Sequence, residues 1–222
     1  NASDRKLTDE IALNSTTTGA QGNLSLAMGP LGSFVAAWES PDADGTGIVA
    51  QRFNADGTAN GGEIAVNTTT TGDQADPVVA VDATGRFVVT FGSGEDVIGR
   101  RFAADGTALA GEFTVNTTTA GVQGSPAVAI TRDGQFVIGW EGPDTDGSGI
   151  FAQRYAADGS AAGGEIAVNT YTTDNQYDST VRIDPDGNFI VGWTSMGQDG
   201  DREGVYAQWY NAAGVPQSNE FR

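Results

Sequence analysis

Carboxylates, amides and hydroxyls are the groups with which this chain can do chemistry in quantity. It carries 29 Asp and Glu against 11 Lys and Arg in 222 residues, with no His and no Cys. Ser-His-Asp and Cys-His catalysis, thiolate or imidazole zinc sites, haem or iron–sulfur ligation by those residues, and disulfides are thereby excluded. The net charge of −18 repels phosphate backbones and anionic headgroups, which excludes nucleic acid as a partner. The most suggestive spacing is Asp42-Ala-Asp44-Gly45-Thr-Gly47, repeated as Asp144-Thr-Asp146-Gly147-Ser-Gly149 and more loosely as Asp199-Gly-Asp201. Carboxylates at i and i+2 before a glycine turn bring hard oxygens together, as the first part of an EF-hand loop does, and Ca²⁺ takes such ligands. The third acidic position and the closing Glu of that loop are missing, so the same residues also suit an acidic solvent-exposed turn. The counterpart Gly94-Glu95-Asp96 has lost the motif.

Amides form a second constellation. Gln74 closes the run Asn67-Thr-Thr-Thr-Thr-Gly-Asp, and Gln21, Gln123 and Gln176 stand at the same place in three similar runs. A ring of such amides offers donors and acceptors to a glycan; alternatively, Asn, Thr and Gln satisfy backbone groups in a buried connection. Trp38, Trp140 and Trp193, with Phe91 in the equivalent place, recur too regularly for a unique site and are expected to pack between repeats. Trp209 stands where other units have Arg52 and Arg154, and as a unique aromatic it is the better binding candidate. Gln51-Arg52, Arg100-Arg101 and Gln153-Arg154 face strands bearing Glu63, Glu112 and Glu165, which predicts cross-strand ion pairs. No acidic residue is singled out from the repeated turns, so catalysis by paired carboxylates is not expected.

The elements that must hold these groups follow from a repeat. Glu-Ile-Ala-Leu-Asn at 10–14 returns at 63–67, 112–116 and 165–169, with a partial fifth copy at 220–222, so the units run approximately 10–62, 63–111, 112–164 and 165–219 of a single repeat domain. Each unit reads as four short strands split by turn signals; in the third they are roughly 125–131, 135–140, 149–155 and 165–169. Phe34-Val-Ala-Ala-Trp38 and Phe136-Val-Ile-Gly-Trp140 are apolar at nearly every position, so both faces of that strand are covered. Four-stranded antiparallel sheets packed face to face around an axis meet this demand, and the fold class is all-β, a propeller of four blades. Either the 10–14 strand completes the last blade and closes a ring, or the four blades belong to a longer array. No apolar run is long enough to span a membrane, and Asn1 to Lys6 lacks the apolar core of a signal peptide.

The stretch from Phe136 to Gly159 resembles the tandem repeats of large bacterial secreted and cell-surface proteins, often found beside haemolysin-type or cadherin-like modules. That resemblance covers essentially the whole chain. It implies an extracellular or cell-surface location, a calcium-rich setting and a part in surface architecture or adhesion. The expectation is therefore a non-catalytic, calcium-stabilised adhesive module. Its alternatives are a lectin-like binder of glycans, with one shallow site per blade, and a subunit that self-associates or docks on another surface protein.

Overall fold

The computed structural model describes residues 10–222, and the reading of Asn1 to Lys6 lies outside them. The described residues form four antiparallel sheets and no α-helix. Blade 1 is β1 (Gly22–Met28), β2 (Phe34–Pro41), β3 (Thr46–Phe53) and β4 (Ile64–Ala65). Blade 2 is β5 (Gln74–Val81), β6 (Phe87–Ser93), β7 (Asp96–Phe102) and β8 (Phe113–Thr114). Blade 3 is β9 (Gly124–Ile130), β10 (Phe136–Pro143), β11 (Ser148–Tyr155) and β12 (Ile166–Ala167). Blade 4 is β13 (Gln176–Ile183), β14 (Phe189–Met196) and β15 (Glu203–Tyr210), completed by a bridge between Ala207 and Phe221. Strands follow one another as a meander in every blade. None of the described residues forms a helix long and apolar enough to cross a membrane.

Local chemistry sets the hairpins. In blade 2, Gly85 at φ 86° closes the β5–β6 turn by donating its N–H to Asp82, a left-handed position that glycine adopts without steric cost. The buried Asp82 carboxylate accepts from the Thr84 and Arg86 backbones and from the Arg86 guanidinium at 2.7 Å. Where β2 begins and β3 ends, Phe34 stacks on Phe53, and Phe87 on Phe102, Phe136 on Tyr155 and Phe189 on Tyr210 repeat the pair. One stacked pair per blade at one register position fixes how β2-type and β3-type strands align.

Packing between blades obeys one rule. The inner strand of each blade lies across the first three strands of the blade before it: β5 on β1, β2 and β3, β9 on β5, β6 and β7, and β13 on β9, β10 and β11. Three apolar clusters fill these three joints, with Trp140 and Trp193 buried in the second and third and Phe91 in the first. Among the described residues no such packing joins β1 to β13, β14 or β15, so the four blades form an arc. The strand expected to complete the last blade also differs: Phe221 exchanges both backbone hydrogen bonds with Ala207, while Leu13 of the 10–14 copy packs against blade 1. The C-terminal stub reaches β15 through a short hairpin, and so wins over a strand some two hundred residues away.

Candidate functional site

Each inner strand carries the same irregularity near its start. Register slips between Gly22 and Ser25, Ala75 and Val78, and Tyr177 and Thr180, and blade 3 slips where Gly139 and Glu141 face β9. At each slip one non-glycine residue is left-handed: Asn23 (φ 48°), Asp76 (53°), Ser125 (47°) and Asp178 (55°). Such bulges re-aim a side chain, and left-handed non-glycine residues persist only where surrounding structure holds them. Paired with the residue before each bulge is the residue that follows the Trp or Phe of the second strand: Glu39, Gly92, Glu141 and Thr194. Blades 1 and 3 thus place a Glu beside a neutral bulge residue, and blades 2 and 4 place an Asp at the bulge itself.

Hydrogen bonds tie these groups together from blade to blade. Glu39 Oε1 accepts from the Asn23 side-chain amide at 2.7 Å and from the Asp76 backbone N–H at 2.9 Å. Glu141 Oε1 accepts from the Asp178 N–H at 2.7 Å. Glu141 is half-buried, and its pKa is raised above the ordinary carboxyl range, first by burial and then by the charges of Asp178 and Asp76. The Asp178 N–H and the Ser125 hydroxyl pull the other way without cancelling this. Asp76 therefore sits within electrostatic reach of Glu141 while its backbone is held by Glu39, which makes a series of four carboxylates that alternates between the second strands β2 and β10 and the inner strands β5 and β13. A carboxyl whose pKa is raised, placed beside further carboxylates, is an arrangement fitted to general acid–base work.

The acidic loops are organised differently. Asp42 Oδ1 accepts from the Asp44 N–H, Asp144 Oδ1 from the Asp146 N–H, and Asp199 Oδ1 from the Asp201 N–H. Each first Asp caps its own turn, as the turn reading requires. Asp42 Oδ2 further accepts from Asn67, and Asp199 pairs with Arg222 at 2.9 Å. No group of three or more acidic side chains among the described residues gathers closely enough to hold a metal ion.

Three of the four glutamines at this place in the repeat are buried and spent: Gln74 and Gln176 accept from Asn67 and Asn169, and Gln123 accepts from the Trp140 indole at 3.2 Å. Gln21 is half-buried and donates to the Thr16 carbonyl. They brace the connections and do not ring an open mouth, because each must satisfy backbone and indole groups that water cannot reach. Trp209 is exposed on β15.

The expected Arg–Glu pairing is corrected. Arg52 donates to the Ala104 carbonyl, Arg101 to those of Ala157 and Asp158, and Arg154 to that of Ala212, so each arginine reaches the outer hairpin of the following blade. The glutamates instead accept from the connection that enters their own blade: Glu63 from Ser15 and Thr16, Glu112 from Thr68, Glu165 from Thr117 and Glu220 from Thr170. Ion pairs are left to Asp82–Arg86 and Asp199–Arg222 among the described residues.

No family model and no curated protein matches the chain. Solved structures do. A Hadza microbial sialidase is similar with a TM-score of 0.59 and 16% identity over 88% of this chain and 47% of its own. An α-L-arabinanase from Penicillium chrysogenum, complexed with arabinobiose, has a TM-score of 0.53 and 16% identity over 85% of this chain and 58% of its own. An α-L-arabinofuranosidase from Podospora anserina, in complex with cellotriose, has a TM-score of 0.52 and 12% identity over 89% of this chain and 70% of its own. The chain thus spans about half to two-thirds of the first two and somewhat more of the third.

Such similarity establishes the propeller fold. It also corrects the expectation of a non-catalytic adhesive or lectin-like module that is no enzyme, since the three similar structures are an arabinofuranosidase, a sialidase and an arabinanase. That expectation rested on finding no acidic residue set apart. The axial carboxylates are set apart: Glu39 and Glu141 occur only in alternate blades, where Gly92 and Thr194 break the pattern. Comparing the units at the residue after each Trp would have shown it.

Proposed function

We propose that this chain is a carbohydrate-active enzyme that cleaves a glycosidic bond over its inner strands. The observation that carries the reading is Glu141, half-buried and hydrogen-bonded to the Asp178 N–H at the bulge, its pKa raised above the ordinary carboxyl range by burial and by the charges of Asp178 and Asp76. Glycoside hydrolysis needs one carboxylic acid to protonate the leaving oxygen and a second, ionised carboxylate to activate water or attack the anomeric carbon. Glu141 takes the first role and Asp76, its neighbour across the blade joint, the second. Asp178 positions Glu141 through its backbone N–H, and Glu39 holds the Asp76 backbone in turn. The substrates named with the similar structures make arabinofuranosides and sialosides the first glycosides to test. An extracellular setting, where such polymers are met, belongs to the same proposal.

The test is turnover of aryl α-L-arabinofuranosides, arabinan and aryl sialosides by the purified chain and by Glu141→Gln. Loss of a general acid costs about 10²- to 10⁴-fold in rate, while the glutamine keeps an oxygen for the Asp178 N–H and so keeps the fold. Turnover that falls by this factor in a variant with an unchanged or higher melting temperature supports the reading. Absence of turnover across the panel, or a variant as active as the parent, refutes it.

A further inference from the structure

The joint rule leaves two faces of the arc without a neighbour, and they match. Val79, Val128 and Val181 occupy one position of the inner strands, and packing against the preceding blade leaves them 5%, 8% and 0% exposed. Leu26 holds that position in β1 and is 56% exposed, with Leu24 and Met28 exposed beside it. On the opposite side, Ile48, Val97 and Ile150 are fully buried against the following blade, whereas their counterpart Val205 is 70% exposed. Trp209, also exposed, replaces the arginine that elsewhere crosses the joint.

Scattered apolar residues on a surface need no explanation, but here they fall at the positions that are buried in all three internal joints. We propose that the β1 face of one copy packs on the β13–β15 face of a second copy, repeating the internal joint between molecules. The second copy's β1 then lies across β13, β14 and β15 as β13 lies across β9, β10 and β11. Side-chain volumes agree with this. Val181 seats over Gly139, where a Cβ would come within 2.7 Å of its Cγ2. Gly192 is the counterpart of Gly139 in β14, so the larger Leu26 is offered the smallest possible seat. The contact is heterologous, and two copies joined by two such contacts close into a ring of eight blades, a number within the usual range for propellers.

The test is mass in solution, by sedimentation and light scattering over a concentration series, for the chain, for Leu26→Asp and for Val205→Asp. Both positions are exposed in the single chain, so neither substitution disturbs folding, which circular dichroism checks. The chain is expected at twice 22.8 kDa at high concentration, and each variant alone at 22.8 kDa. Mixing the two variants is expected to restore a dimer through one intact joint. Added salt is expected to tighten association by screening two charges of −18. A chain that stays at 22.8 kDa up to its solubility limit overturns the proposal, as does a dimer that survives both substitutions. Neither result depends on catalytic activity.

Discussion

The raised pKa of Glu141 costs stability at neutral pH, and the cost has a pH signature. Because burial and the charges of Asp178 and Asp76 raise its pKa in the fold, the folded chain holds this proton more tightly than the unfolded chain does. The stability carried by the protonated form is complete below the ordinary glutamate value of about 4.3 and is lost as pH rises through the raised value. Glu141→Gln is therefore expected to melt with the parent in acid and above it at pH 7, in thermal melts taken across that range. A variant less stable than the parent at pH 7 would assign the carboxylate a structural role. Asp82 carries the opposite sign. Burial opposes its charge, but Thr84 and Arg86 outweigh that and lower its pKa, so its contribution is present at neutral pH and fades as pH falls below the carboxylate range. Residue types alone pointed to the loop pairs Asp42/Asp44 and Asp144/Asp146, since spacing along the chain was the available signal. Glu39 and Asp76, like Glu141 and Asp178, stand 37 residues apart in neighbouring sheets, and only the packing of one blade on the next brings them together.

Strands were far more legible than their contacts. The turn signals of unit 3 predict strands at 125–131, 135–140, 149–155 and 165–169, and the first three strands stand within a few residues of those bounds. The fourth shrinks to Ile166–Ala167, because Val168 turns inward to the joint and Asn169 spends its side chain on Ile150 and Gln176. What composition cannot show is an arginine bound to carbonyls, since a carbonyl has no residue type. Arg101 illustrates this, with its guanidinium donating to both Ala157 and Asp158 across the joint between blades 2 and 3. Hydrogen bonds from a charged group contribute about 1.5–3 kcal/mol each before solvent exposure is discounted. Arg101→Ala is expected to cost about 2 kcal/mol at the half-exposed site, measured by urea unfolding, and Arg101→Lys should recover only part of it because a lysine lacks the planar fork. A cost as small as a surface ion pair, about 0.5 kcal/mol or less, would mean that apolar packing alone holds the joint.

At the scale of the molecule, stability should follow position in the arc. Repeat proteins approximate a sum of unit stabilities and nearest-neighbour interfaces; blades 2 and 3 have an interface on both faces, and blades 1 and 4 on one. Amides open with free energies set by the local contacts that must be lost. In the Leu26→Asp variant, which removes any partner from the β1 face, exchange should be slowest in β6 and β10 and faster in β2 and β14. The chain itself offers the contrast. If a second copy supplies the missing interfaces, raising its concentration should slow exchange in β1, β14 and β15 while leaving β6 and β10 unchanged. Hydrogen exchange read by mass spectrometry at two concentrations separates these effects strand by strand. Uniform exchange across all four blades would show that the arc unfolds as one cooperative unit, and the interfaces would then have to be far stronger than the blades they join.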